Sequence, residues 1–494
     1  MARRTIKRQI IFRLCAVLIG LLPFLAFEFF LGAIGWQQLD GVKDPFVGFS
    51  SSRPLFELNE DRTEYEISES RKPLFCDESF PVEKSPDQFR IFCIGGSTVQ
   101  GRPFAIETSF STWLELSLQV ADDSKQFNVI NCGGVSYASY RLAPVVEEIL
   151  GYQPDLIVLY TGHNEFLEDR TYEAVKNTSP LILSVHEQLS RLKTYSFLRS
   201  LASNDQSDNS QIEILPEEVE ARLDFRNGLE QYTRDEAWKT NVVSHFRHNL
   251  NRIALAARSA DVPLMICNPV SNLRDASPFK SENQSGLSTA QKSQFESSFQ
   301  RLTADANPAA SIEELKALLE IDPSHAELQY RIGQAYQIAG DFENAKRHLI
   351  ESKEQDVCPL RIIEPMYEVI KTITQRHEIP LIDVKSLFES KATDGIAGSE
   401  LLVDHIHPSM RGHQLIAEMI LEEMKQHRFV KIADGFEARR DASFDAHFAS
   451  LPNLYFELGK DRLAGLKRWT EGKVTRERKQ GDSGLEITVP IAGE

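Results

Sequence analysis

Residues 90–101 read RIFCIGGSTVQG, an apolar run broken by two glycines and followed at once by Ser97. The run makes a buried strand. Ser97 then sits on a sharp turn at the strand's C-terminal end, where a hydroxyl is lifted out of the sheet and backbone N–H groups are freed to face a developing oxyanion. Gly-Gly-Ser occurs in many ordinary turns, so the serine takes its meaning from what stands at the ends of the other strands.

Four more apolar runs follow Arg90 to Ile94: Phe127 to Cys132, Leu156 to Tyr160, Val262 to Cys267 and Ile379 to Val384. Helix-period segments lie between them, at Ser109 to Val120, Leu142 to Leu150, Trp238 to Arg258 and Pro365 to Gln375, and His413 to Met424 supplies a closing amphipathic helix. This alternation predicts an α/β fold with a parallel five-stranded sheet. In open sheets of this kind ligands bind outside the carboxyl ends of the strands, where Ser97 stands.

With 494 residues, 41% of them hydrophobic, the chain can bury a sizeable core and divide into several domains. Its formal net charge is -17, although the first 13 residues carry Arg3, Arg4, Lys7, Arg8 and Arg13 and no acid. An acidic body argues against nucleic acid as a partner. Leu14 to Gly35 is an apolar stretch interrupted only by Glu28 and by Pro23, and about 20 apolar residues span a bilayer. Residues 1–36 therefore read as a cytoplasmic basic head and a transmembrane helix, with everything after Trp36 across the membrane. A cleaved signal peptide is the competing reading, against which stand the length of the run and the lack of an A-x-A-like site. Six cysteines (15, 76, 93, 132, 267 and 358) show no zinc-like spacing, so no metal and no cofactor is expected. Cys93, Cys132 and Cys267 read as inert buried thiols; a Cys76 to Cys358 disulfide has no support in the sequence.

Residues 37–89 form a charged, proline-containing linker to a catalytic body that occupies 90–289 and 359–430. Two insertions interrupt it. Residues 170–236 include the polar stretch Ser203 to Gln211, and read either as a lid or as edge decoration. Residues 290–358 place Ile332, Gly333, Tyr336, Ala345 and Leu349 at spacings like those of a tetratricopeptide repeat, after an Asp322-Pro323 boundary, though Gln329 stands at the usual tryptophan position. Two such repeats would have to pack on the catalytic body and would offer a surface to a protein partner; a plain helical hairpin is the alternative. A C-terminal helical extension, 431–494, has its best helix at Tyr455 to Trp469 and a strand-like end at Leu485 to Val489. Neither linker nor tail shows residues that point to chemistry.

Near the far end of the sheet comes Leu402-Val403-Asp404-His405-Ile406-His407-Pro408, with Gly412 beyond. Asp404 and His407, three apart, can face one cleft: the carboxylate accepts from one imidazole nitrogen and the other nitrogen takes a proton from Ser97. A serine nucleophile needs that division of labour, because a hydroxyl at neutral pH is a poor nucleophile without a base. His405 reads as a bystander pointing away. After the third strand stands Thr161-Gly162-His163-Asn164-Glu165, where the Asn164 amide can donate to an oxyanion. The second strand ends Asn131-Cys132-Gly133-Gly134-Val135-Ser136-Tyr137, another loop at the same edge.

Four weak motifs in order after strands one, two, three and five closely resemble the SGNH hydrolases, also called the GDSL esterase and lipase family. The likeness covers roughly residues 90–170, 238–275 and 379–426. It implies a three-layer α/β/α, flavodoxin-like fold, with Ser97 as nucleophile, Asp404 and His407 completing a triad, and an oxyanion hole from the N–H groups of Ser97 and Ser136 with the amide of Asn164. Ser136 stands where the family has glycine, and Gly133 is the fallback donor; Gly96 stands where many members carry aspartate. The absence of a Gly-x-Ser-x-Gly elbow sets the chain apart from ordinary α/β-hydrolases. Asn272 and Arg274, in the loop after the fourth strand, read as substrate contacts or as structural residues. The expected function is a membrane-anchored esterase acting on an acyl ester, acetyl or another short chain, of a carbohydrate or lipid. Acyl transfer to a sugar, and a non-catalytic binding protein that recruits partners through its insert, are the alternatives.

Overall fold

The computed structural model describes residues 53–172, 213–304 and 308–473, together with 20, 22–24, 26–31, 44, 46–50, 194 and 476. The chain divides into two compact units, 1–48 with 170–215, and 49–169 with 216–494. In the smaller unit the N–H of Thr171 donates to Glu213 (2.8 Å), and the described positions of the predicted span, 20, 22–24 and 26–31, are helical. The rest of that span, and Ser203 to Gln211 and Leu485 to Val489, lie outside the described residues. Among the described residues no helix is long and apolar enough to cross a membrane.

The larger unit holds a five-stranded parallel sheet: β1 (Gln88–Gly95), β2 (Gln126–Gly133), β3 (Leu156–Tyr160), β4 (Leu264–Cys267) and β5 (Leu381–Ile382), in the order β5-β4-β3-β1-β2. Read from β2, this is the doubly wound 2-1-3-4-5 order, with a switch point beside β1. A short helical turn α1 (Ser97–Gln100) leaves β1. Helices α2 (Phe110–Ala121), α11 (Met410–Gln426) and α12 (Phe436–Ser450) cover one face, burying Trp113, Leu118, Ile416 and Ile420 with Ile91, Cys93 and Val158. Helices α3 (Ser139–Ile149), α4 (Glu236–Ser259) and α9 (Glu364–His377) pack together on the other. Both faces are covered, which is why β1 and β3 read as continuous apolar runs rather than alternating ones.

Two strands are shorter than their apolar runs. Pro263 has no N–H for the ladder before β4, and Asp383 ends β5 by accepting from the N–H of Ser386 to cap α10 (Val384–Lys391). Helix α3 begins three residues earlier than its periodicity predicts. The cause is distant in sequence: the Glu165 carboxylate accepts from Ser139 N (2.7 Å) and Ser139 Oγ (2.9 Å), supplying a cap from the loop after β3.

The predicted linker is not merely a connection. Phe56–Leu58, Glu64–Ile67 and Ser79–Pro81 form an antiparallel meander. It buries Phe56 and Phe80 edge-on against Phe92 of β1, with ring centroids 6.5 and 5.4 Å away. Strands of three or four residues with glutamates at alternate positions conceal this half-buried pattern. The outer edge of β2, which has no neighbouring strand, is covered by side chains: Glu115 accepts from Val129 N (3.2 Å) and Glu78 from Asn131 N (2.9 Å).

The insert at 290–358 is helical: α5 (Thr289–Thr303), α6 (Ile312–Leu319), α7 (Ala326–Ile338) and α8 (Phe342–Gln355). α7 and α8 pack closely enough that a Cβ on Gly333 would fall 2.7 Å from Leu349. Its Tyr330 hydroxyl donates to the Arg274 carbonyl of the sheet domain (2.9 Å). Cys76 and Cys358 are both free thiols, as are Cys93, Cys132 and Cys267.

Candidate active site

The register of the sheet brings three loop origins side by side. Gly95 at the end of β1 lies opposite Gly133 of β2 and Tyr160 of β3. The turns carrying Ser97, Ser136 and Asn164 therefore leave the sheet at one edge, from neighbouring strands. Close approach dictates small residues here: a Cβ on Gly133 would lie 2.2 Å from the backbone nitrogen of Gln100. Asn131 ties the same turns together, its Nδ2 donating to the Val99 carbonyl (2.7 Å) and its Oδ1 accepting from Gly133 N (3.0 Å).

Ser97 Oγ lies 2.8 Å from His407 Nε2, and His407 Nδ1 lies 2.7 Å from Asp404 Oδ2. Asp404 Oδ1 accepts from the N–H groups of Ile406 and His407, both at 2.8 Å. Burial by itself would raise the Asp404 pKa, but His407 and these hydrogen bonds outweigh it and hold the carboxyl well below the usual range. An ionised carboxylate only accepts, so Nδ1 carries the imidazole proton and Nε2 is left as acceptor for the serine hydroxyl. The three side chains form one directed hydrogen-bonded chain.

Local structure holds the aspartate and histidine in place. Val403 N donates to the His407 carbonyl (2.9 Å), closing the turn, and Ser409 caps α11 immediately afterwards, accepting from Gly412 N. A Cβ on Gly412 would stand 2.6 Å from the Leu401 carbonyl, so helix and turn meet only over a glycine. Asn272 donates from Nδ2 to the Asp404 carbonyl (3.1 Å) and from its N–H to the His405 carbonyl (2.9 Å). Arg274 is ion-paired with Asp275 and Glu400. Of the two readings open for these residues, the structural one matches their contacts.

Asn164 Nδ2 donates to the Tyr137 carbonyl (2.9 Å), which leaves its second amide N–H for a substrate, and the capping carboxylate of Glu165 fixes the loop to α3. A Cβ at position 96 would fall 2.6 Å from Asn164 Nδ2, so the glycine before the serine is a packing requirement of this amide. Ser136 has φ 63°, in the left-handed region that a glycine would occupy without cost. Its N–H has no carbonyl partner among the described residues, whereas the N–H of Gly133, the fallback donor, is already given to Asn131.

Ser97, Ser136, Asn164 and His407 line one cavity of about 270 Å³. His405 lines it too, contrary to the expectation that it points away. It is buried edge-on against Phe279, with Nδ1 3.7 Å from Asp404, and burial pushes its pKa down to about 4. His163 is buried as well; its Nδ1 accepts from Ile362 N (3.2 Å), which places its ring proton on Nε2.

The far wall belongs to the C-terminal tail, in which sequence reading finds no chemistry. Helix α13 (Asn453–Thr470) presents Arg462, Gly465, Leu466 and Trp469 to the cavity, the 0, 3, 4, 7 spacing of one helix face. Tyr455 fixes it to the body by its hydroxyl, 2.7 Å from Thr108 Oγ1, and Trp469 Nε1 donates to Asp224 (2.8 Å). The face carries no reactive residue, so only its periodicity was there to be read.

No family model matches the chain, and no curated protein matches it. Among solved structures it is similar to a lipase/acylhydrolase from Enterococcus faecalis, at 13% identity over 70% of this chain and 100% of that one, with a TM-score of 0.31. A GDSL-like lipase from Bacteroides thetaiotaomicron VPI-5482 matches at 8% identity over 68% of this chain and 88% of that one, with a TM-score of 0.28. Likeness at this level leaves the chemistry to be read from the chain's own geometry. Among the described residues no cluster of histidine, cysteine and carboxylate side chains has the arrangement to hold a metal ion.

Proposed function

We propose that this chain is a serine esterase of the SGNH type that cleaves a short acyl ester through a covalent acyl-enzyme. The observation that carries the reading is the chain from Ser97 through His407 to Asp404, at the C-terminal edge of the sheet beside three candidate oxyanion donors. Ser97 Oγ attacks the ester carbonyl while its proton passes to His407 Nε2, and Asp404 stabilises the imidazolium. The oxyanion receives hydrogen bonds from the N–H groups of Ser97 and Ser136 and from the Asn164 amide. His407 then returns the proton to the departing alkoxide. A water deprotonated by His407 attacks the acyl carbonyl, and collapse frees the acid and restores Ser97. The cavity of about 270 Å³ lies near the small end of ligand sites, typically about 300–1,000 Å³, which favours a short acyl group over a long lipid chain.

The full-length protein, assayed on short-chain nitrophenyl esters beside Ser97→Ala, tests this. Turnover and labelling by a serine-directed phosphonate are expected in the wild type and lost in the variant. Turnover that survives Ser97→Ala would remove Ser97 as nucleophile, and absence of both signals would leave a binding protein. The basic head and apolar stretch before Trp36 support a membrane anchor with the catalytic domain outside the cytoplasm. A reporter fused after Trp36 is expected to be active only across the membrane; cytoplasmic activity contradicts the orientation.

A further inference from the structure

Arg102, half-buried, and Arg462, exposed, line the Ser97 cavity, and neither is paired with the one acid of the lining, Asp224. Arg102 follows α1 and donates from Nε to Gln100 Oε1 (2.6 Å); Arg462 on α13 donates from Nη1 to the Phe104 carbonyl (2.6 Å). Neither forms an ion pair among the described residues, in a chain with 72 acidic residues against 55 lysines and arginines. Among the described residues Arg141 pairs with Glu168, Arg252 with Glu147 and Arg274 with Glu400, whereas the buried Arg90 is satisfied by the carbonyls of Tyr152 and Pro81; Arg102 and Arg462 differ in lining the Ser97 cavity. The carboxylates near the cavity are committed, Asp224 to Trp469 Nε1 and Ala221 N, and Asp404 to His407. Burial first and Arg462 second push the Arg102 pKa down, as expected of a partly desolvated cation beside a like charge. The lining also includes the apolar residues Pro103, Val135, Leu360, Leu466 and Trp469.

A planar guanidinium pairs with carboxylate and phosphate oxygens through two parallel N–H bonds, and its affinity rises as water is excluded. Resting on the esterase reading of Ser97, we propose that Arg102 and Arg462 form a subsite for an oxyanion group, carboxylate or phosphate, carried by the ester substrate. The substrate is then an anionic molecule bearing a short acyl ester. The anion lies against the two arginines, the apolar residues of the lining cover the rest of the molecule, and the ester carbonyl reaches Ser97. Helix α13 supplies half of this recognition.

The test compares matched esters on the full-length protein: 4-acetoxybenzoate against its methyl ester, and 4-acetoxyphenyl phosphate against its neutral dimethyl ester, each corrected for uncatalysed hydrolysis. The wild type is expected to prefer the anionic member of at least one pair by about tenfold in kcat/KM, and the pair with the larger preference distinguishes carboxylate from phosphate. That ratio is expected to fall about tenfold in Arg102→Gln and in Arg462→Glu, with thermal melts reporting that both variants fold. A wild-type ratio near one, or a ratio indifferent to both substitutions, overturns the subsite. If no ester turns over and phosphonate does not label Ser97, the esterase reading fails separately. Calorimetric binding of 4-hydroxybenzoate and 4-hydroxyphenyl phosphate then decides the subsite: binding lost in both variants retains it, and binding absent or insensitive to them removes it.

Discussion

The two walls of the Ser97 cavity are built on opposite plans. The sheet-side wall includes loop residues two to four positions beyond the ends of adjacent strands, held by glycines that let backbones touch and by side-chain hydrogen bonds of Asn131 and Glu165. The tail-side wall is one face of α13, more than 350 residues later in the chain than Ser97, docked through Tyr455 and Trp469. Reactive groups are concentrated on the strand ends and in the turn at 402–408, where the ladder and the hydrogen-bonded turn hold the backbone in place. The helix face offers area and charge, whose exact placement matters less. Precision and selectivity are therefore carried by different parts of the fold, and they should fail differently.

The largest effect separates the walls outright. Ser97→Ala or His407→Ala is expected to lower kcat by about a thousandfold or more, while no single substitution on α13 does so; ester kinetics with active-site titration check this. Next, Asn164→Ala should cost on the order of a hundredfold in kcat with little change in KM, as loss of one oxyanion donor does. A change confined to KM would make Asn164 a packing residue. On the tail wall the sign reverses: Leu466→Ala and Trp469→Ala are expected to raise KM by about three- to tenfold, more than they lower kcat. A thousandfold loss of kcat there would show that α13 positions the reacting groups and would erase the contrast.

Two smaller effects sharpen the account of the sheet wall. Burial pushes Glu78, which meets the edge of β2, up to about 8. Its folded pKa lies above the unfolded one, so its contribution to stability is full below the unfolded value and is lost as pH rises through about 8. Glu78→Gln keeps the acceptor and removes the titration. The melting temperature of the wild type minus that of the variant should therefore fall between pH 5 and 8, and a flat difference would contradict the buried carboxyl. Smallest of all, Ser136→Gly relieves a left-handed residue at a strain of about 1 kcal/mol, offset by roughly 0.4–1 kcal/mol of glycine's unfolded-state entropy. Turnover should stay within about threefold, because a backbone donor needs no side chain; a large loss would show that the serine hydroxyl itself is used.

The legibility of the molecule follows the same division. β1, β3 and their glycine turns could be read because a strand buried on both faces imposes a continuous apolar run, and a turn that must pass close to another backbone imposes glycine. Asp404 and His407 could be paired in prospect because the contact lies within one turn of chain. The meander at 56–81 escaped because its strands are too short to display a period, and the early start of α3 because its cap, Glu165, lies 26 residues away. The direction of His405 was not legible because side-chain direction in an irregular turn follows from packing, here against Phe279.

By itself the sequence determined the order of strands and helices and the chemical types at each strand end, since both are dictated by local backbone and solvation physics. Only the tertiary structure decided that Ser97 faces His407, that Gly96 exists to admit the Asn164 amide, that Ser136 takes up a glycine's backbone angle, and that the tail closes the cavity with Arg462 and Trp469. Those outcomes depend on groups separated by tens to hundreds of residues arriving within van der Waals contact. No local pattern encodes such an encounter; it is set by the packing of the whole domain.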